Sequence, residues 1–376
     1  MEMLETDPVE ELIAELGRGG IVGLSEGRDP SDWCCMCLSA QRADVESLRT
    51  LTRGGPGATY LCLSDARCEQ LALQPIAPQP GGLDWRGSVT MSISHRDTLH
   101  GSWDEIATVI VRAADHRVER DEFTTPGLVQ TLRLAPGGCL ERARQIEAAA
   151  DLARLAGDEP AAVVSALLNP DGTMARIRDL PHHPSRRLHK FATVQEVVQY
   201  RLRHERLSDK GVTVQMPTAY GEFRLHAYTE RLRGLHHVAL VKGDVAAGSV
   251  VPVSVHLKCF AGDVLQSVTC NCSRHLEGSL RHIEREGVGV LIYLIRDQPL
   301  STVCVRVDTP EVESESYELS LAAQILADLG VHNVSLLVSP GQAALALELE
   351  RFGLRVERAD SSGFADEDVY LRHDRD

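Results

Sequence analysis

Apolar positions in this chain fall into short runs broken by charged and glycine-bearing segments, and the period of each run predicts its element. Residues 9–20 (VEELIAELGRGG) carry helical spacing and end in glycines, and GIVGL beside them has strand length. ATYLCLS and SVTMSIS read as further strands. Residues 142–156 read as a helix stopped by Gly157, and AAVVSALL as a buried strand leading into the Asp-Gly turn of NPDGTMA. Residues 191–204 have the pattern of an amphipathic helix, and the polar stretch HERLSDKG reads as a linker. Beyond it come the strands EFRLHAYT, HVALVKGDV and VVPVSVHL. A helix over 274–286 follows, with Ser273 as N-cap and Leu276, Leu280 and Ile283 as its apolar stripe. GVLIYLI is a buried strand, 317–329 a helix closed by Gly330, VSLLV a strand, 343–352 a helix closed by Gly353, and LRVERA a last strand. No internal repeat is seen. The alternation predicts an α/β (α+β) protein of two domains, 1–205 and 206–376.

The candidate chemistry lies in HLKCFAGDVLQSVTCNCSRHLEG, where Cys259, Cys270 and Cys272 form a C-x10-C-x-C spacing between a strand and a helix start. Thiolates are soft ligands that suit zinc, and three of them leave one coordination position for water. Two other readings stand beside this one. The trio could be buried thiols without chemistry, or a structural zinc site completed by His256 or His275. A second cluster, Cys34, Cys35 and Cys37, alternates faces if it lies on a strand. It then cannot converge easily, which favours packing over a metal site.

Composition narrows the function classes. The chain has 376 residues, 43% of them hydrophobic, enough to bury two cores. A formal net charge of -15 argues against a nucleic-acid partner. The acidic N-terminal stretch lacks the pattern of a secretory signal, and the longest apolar run, Val290–Ile295, is far short of the ~20 residues of a membrane span. A cytoplasmic protein with no membrane partner is expected, its ten cysteines being thiols or metal ligands rather than disulfides.

With these stretches in hand, the second half resembles GTP cyclohydrolase II and the first half resembles 3,4-dihydroxy-2-butanone 4-phosphate synthase, in the order of the fused riboflavin-pathway enzymes. The resemblance rests on EAAADLARLAGDEPAAVV and NPDGTMAR in the first half. In the second it rests on HHVALVKGDV, the cysteine segment and AAQILADLGV. It implies a zinc site at Cys259, Cys270 and Cys272, small-molecule substrates and a homodimer. In the synthase half it places the metal-binding glutamate of the acidic loop at Pro30, with Asp32 the next acidic position. The metal histidine falls on Gln145, the neighbouring threonine on Ile146, the catalytic glutamate on Ala166 and a further histidine on Leu128; Glu147 alone matches. The synthase half is therefore expected to be inactive.

In the cyclohydrolase half, Gly262 and Asp263 match, as do His256 and Tyr293. Family cations fall on Ser254, Thr269 and Glu315, the family aspartate on Glu313, and a lysine is lost in VSPGQ. Asn271 and His275 replace an aspartate and a glutamine. The expected site is thus Asp263, Tyr293 and Glu313 for catalysis, with His256, His275 and Arg296 toward substrate. Each charge-assisted contact removed costs ~1.5–3 kcal/mol, so the triphosphate of GTP should be poorly held. Three functions follow: a divergent zinc hydrolase on a purine-like or related heterocycle, a scaffold with structural zinc, or residual GTP cyclohydrolase activity.

Overall fold

The computed structural model describes all residues except 1–5, 53–58, 77–88, 99–100, 247–249, 269, 297–311, 339–348, 351 and 361–376, and the backbone alone at 312–316 and 358–360. The chain divides into two compact units, Met1–Arg201 and Leu202–Asp376. Each is a mixed α/β unit, as the alternating pattern predicts. No helix among the described residues is long and apolar enough to cross a membrane.

The first unit contains the strands β1 (Val22–Ser25), β2 (Cys34–Ser39), β3 (Thr59–Leu63), β4 (Ile93–His95), β5 (Phe123–Val129), β6 (Thr131–Arg133), β7 (Ala161–Ala166) and β8 (Phe191–Thr193). Six of them form one sheet in the order β6-β3-β7-β2-β1-β8, while β4 and β5 pair separately. Both faces of the large sheet are covered, so strands such as β1 and β2 are buried at every position. On one face, Ala148, Ala149, Ala150 and Ala153 of the helix Gln145–Leu155 are all buried, and their small side chains allow close approach to the sheet. The helix Trp103–Ala114 covers the other face.

Two expectations shift here. Of SVTMSIS, only Ile93 and Ser94 lie in a strand, β4; Val89 and Thr90 make isolated bridges. Residues 191–193 form β8, parallel to β1, rather than the first turn of a helix. A Cβ on Gly23 would come within 2.1 Å of the Phe191 ring, so that ring fills the space the glycine leaves and its burial overrides the helical spacing. The helix starts at Val194.

The second unit is built on β9 (Ser208–Thr218), β10 (Gly221–Glu230), β11 (His236–Lys242), β12 (Val251–Leu257), β13 (Gly289–Leu294), β14 (Asn333–Leu337) and β15 (Arg355–Asp360). Their order is β15-β14-β12-β13-β11-β10-β9. β12 runs parallel to β13 and β14, while β9, β10 and β11 join antiparallel. The helix Cys272–Glu286 packs Leu280 and Ile283 on one face against Phe223, Leu240 and Leu291. The helix Val312–Asp328 packs Leu319, Ala322 and Ile325 on the other, against Val253, Val290 and Ile292.

HERLSDKG is not a linker throughout, because Leu207 and Ser208 are buried and β9 begins at Ser208. The helix expected at 317 begins at Val312. Asn271, not Ser273, occupies the N-cap position of Cys272–Glu286. Asn and Ser are near-equal cap formers, so the pattern does not separate them. The helix expected at 343–352 lies largely outside the described residues.

Candidate metal centre

β12 and β13 place His256 beside Tyr293 in register, where two parallel strands end, a common position for sites in α/β sheets. The chain leaves β12 at Leu257 and makes one wide helical turn, Phe260–Val264, with Cys259 at its start. Cys270 lies in the bend before the next helix and Cys272 is that helix's first residue. The sulfurs of Cys259, Cys270 and Cys272 lie within 4.8 Å of one another.

The Cys259 and Cys270 sulfurs are 3.8 Å apart. Zinc–sulfur bonds of ~2.3 Å in a tetrahedron give a sulfur–sulfur edge of ~3.8 Å, whereas a disulfide needs ~2.0 Å. The donor set therefore fits one tetrahedral ion. Gly262 makes this packing possible. A Cβ there would lie 2.8 Å from the Cys272 Cβ and 3.0 Å from the Cys270 sulfur, and its backbone N–H donates to the Cys259 sulfur at 3.3 Å.

Among the described residues no His, Asp or Glu joins the three sulfurs. Neither His256 nor His275, weighed above as a fourth ligand, belongs to this group. Buried Asp263 explains why for His256. Burial pushes the Asp263 carboxyl up, but hydrogen bonds from His256, the Cys259 amide and Tyr293 outweigh it and hold the group below the usual carboxylate range. An ionised carboxylate accepts, so His256 Nε2 carries the proton, 3.0 Å from Oδ1, and cannot ligate a metal through that nitrogen.

The Tyr293 hydroxyl donates to Oδ2 at 2.7 Å, and burial, then this bond, raises its pKa. The His256 ring stacks on Tyr293 at 5.3 Å and on His275 at 6.0 Å. Burial and then the charge of His256 push the buried His275 down to about 4, so it is neutral.

Of the remaining expected residues, Arg296 has a partner of its own and Glu313 is described by its backbone alone. Arg296 pairs with Glu318 at 3.0 Å. The side chains of Glu313 and Glu315 lie outside the described residues, as do Thr269, Asp297 and the segment after Val338. Ser254, where the resemblance places a cation, is buried and accepts from Ser279 at 2.9 Å. That bond ties β12 to the helix beneath it, a detail without a signal in the spacing. The close approach at Gly262 did have one: a glycine three residues after a ligand cysteine.

In the first unit, the Gln145 amide donates to the Trp33 carbonyl at 2.6 Å. Glu147 is fully buried and bonded to Arg142 Nε at 2.7 Å, and its pKa is raised by burial despite that partner. Ala166 pairs with Cys35 across the sheet. Leu128 is exposed, and Asp32 accepts from the Asp29 backbone at 3.0 Å. Cys35 and Cys37 face one core and Cys34 the other, and burial pushes the Cys34 thiol up to about 12.

Residues 209–360 match the GTP cyclohydrolase II family and residues 10–200 the 3,4-dihydroxy-2-butanone 4-phosphate synthase family. The riboflavin biosynthesis protein RibBA of Aquifex aeolicus is 33% identical, over 94% of this chain and 92% of that one. RibBA of Chlorobium phaeovibrioides is 31% identical over 95% and 93%. The crystal structure of RibBX, a two domain 3,4-dihydroxy-2-butanone 4-phosphate synthase from A. baumannii, is 29% identical and superposes with a TM-score of 0.72 over 94% of this chain and 98% of that one. The chain belongs to the riboflavin-biosynthesis enzyme family in which a 3,4-dihydroxy-2-butanone 4-phosphate synthase domain is fused to a GTP cyclohydrolase II domain.

Proposed function

We propose that the second unit is a zinc-dependent hydrolase for a purine-like or related heterocycle less anionic than GTP, and that the first unit does not run the synthase reaction. The observation that carries the first part is the convergence of three sulfurs within 4.8 Å with no fourth protein donor among the described residues. A zinc ion held there would supply Lewis acidity and a water of lowered pKa.

The chain's own residues do the rest. The His256, His275 and Tyr293 rings form a stacked wall beside the sulfurs. Phe260, Val264, Leu265 and Val268, all exposed, give the loop between the ligands an apolar surface suited to an uncharged ring. The one cation the resemblance carries over, Arg296, is matched by Glu318, and the neutral Ser254 that stands in a cation's place is bonded to Ser279. Neither position is left to hold a triphosphate.

In the first unit, Gln145 and Glu147 are committed to the protein's own backbone and to Arg142. Pro30 and Ala166 offer no ligand or base. A scaffold with structural zinc is the second reading, but such a site calls for a fourth protein ligand. Residual GTP cyclohydrolase activity, the reaction of the matched family, is the third. We also expect a homodimer of the 41.2 kDa chain, which light scattering would detect.

The test is metal analysis followed by calorimetry with a neutral purine nucleoside and with GTP. About one zinc per chain and binding of the nucleoside in preference to GTP is the expected result. Low-micromolar GTP binding with formate release would replace this reading by the cyclohydrolase one, and zinc without binding of either compound would favour the scaffold.

A further inference from the structure

Asp263 was expected as a catalytic group, but its surroundings assign it other work. Its side chain is 5% exposed. His256 Nε2 lies 3.0 and 3.1 Å from its two oxygens, the Cys259 N–H donates to Oδ2 at 2.9 Å, and the Tyr293 hydroxyl donates to the same oxygen at 2.7 Å. A general base needs a lone pair aimed at the substrate, and three donors from the protein already occupy most of the ~four that a carboxylate offers.

The three donors come from three pieces of chain: β12, the ligand residue itself, and β13. Residue 263 also holds Cys259 from the other side, because its own N–H donates to the Cys259 carbonyl at 2.7 Å. Both backbone groups of the first metal ligand are thus bonded to one residue. Gly262, the residue before it, donates to the sulfur.

We propose that Asp263 is a positioning residue that fixes Cys259, and through it the sulfur triangle, in the geometry a metal requires. It rests on the zinc reading above. Outer-shell groups of this kind set ligand orientation, and losing one typically costs 10–100-fold in metal affinity.

The experiment uses the full chain stripped of metal and titrated with zinc against a chromophoric chelator, and with cobalt for its thiolate charge-transfer and ligand-field bands. Asp263→Asn should bind zinc ~10–100-fold more weakly than wild type and show altered cobalt bands, with no substrate present. A residue acting only in proton transfer would move neither readout. Wild-type affinity and an unchanged cobalt spectrum in Asp263→Asn would overturn the assignment.

If that variant does not fold, Tyr293→Phe and His256→Leu decide, since each removes one donor to the carboxylate. Weaker zinc in either supports the proposal, and wild-type affinity in both defeats it. A wild-type chain that binds no metal would instead defeat the zinc reading itself, so the two failures are told apart.

Discussion

In the first unit, the polar side chains Gln145 and Glu147, at positions singled out by the resemblance, bond to the Trp33 carbonyl and to Arg142, while Ala166 pairs only through its strand and Leu128 is exposed. In the second unit, three sulfurs face one another across less than 5 Å, and a glycine is kept small to let them do so. Both units keep their fold, because the fold rests on buried apolar faces that the site residues do not supply. The contrast teaches that a site is recognised by whether its polar groups converge on a shared point. Groups that satisfy one another have become structure.

The comparison breaks most sharply at the cysteines. Cys270→Ser combined with Cys272→Ser should reduce zinc from about one per chain to background and lower the thermal midpoint, since metal binding is coupled to folding. Full occupancy in that double variant would place the metal elsewhere. The converse holds for the first unit. Ribulose 5-phosphate with magnesium should yield no formate above a control without protein if, as the resemblance implies, Pro30, Gln145 and Ala166 stand where ligands and a base are needed. Turnover there would erase the difference between the two units.

Much of this contrast is legible in the sequence. The C-x10-C-x-C spacing is a chemical pattern, and the Pro30 side chain offers no ligand atom in any fold. The alternation of Cys34, Cys35 and Cys37 between faces follows from strand geometry alone, and the two cores receive them accordingly. What escapes the sequence is tertiary. β9 shows a strand period in Val212, Val214 and Met216, but its side chains are exposed from Lys210 to Pro217, so that alternation marks no core face. Phe191 reads as helical until Gly23 is seen to leave room for its ring. The partners of Asp263 come from β12, β13 and the loop, and no spacing rule brings them to one carboxylate.

A smaller effect sharpens the electrostatic side of the comparison. GTP should bind more weakly than the low-micromolar range at physiological salt, since Ser254 and Arg296 are already engaged with Ser279 and Glu318. Calorimetry giving a tighter constant would contradict the proposed loss of anion recognition.

Smaller again is Gly262→Ala. The added methyl would meet the Cys272 Cβ at 2.8 Å and the Cys270 sulfur at 3.0 Å, so the ligand loop must shift. A cost of ~1–3 kcal/mol is expected, read as roughly 5- to 150-fold in zinc affinity. Unchanged affinity would mean that the three sulfurs do not need this close packing.

The last effect is a pH dependence of the second unit in metal-free protein, which removes the competing protonation of metal-bound thiolates. Burial, then the neighbouring His256, holds His275 at about 4 against an ordinary 6.5, while a bond to the Leu337 backbone pulls weakly the other way. Above pH 6.5 the ring is neutral in both folded and unfolded chains and contributes no pH dependence. Below 6.5 the unfolded chain takes up a proton that the folded one refuses until about pH 4, so stability falls as pH falls through that window. Between pH 7 and 5 the loss from this group is ~1–2 kcal/mol. Replacing His275 by Gln should remove it, giving a shallower decline in urea-unfolding free energy than wild type over the same interval. Equal slopes in the two proteins would show that His275 is solvated or charged in the folded state, and the stacked wall of rings beside the sulfurs would have to be abandoned.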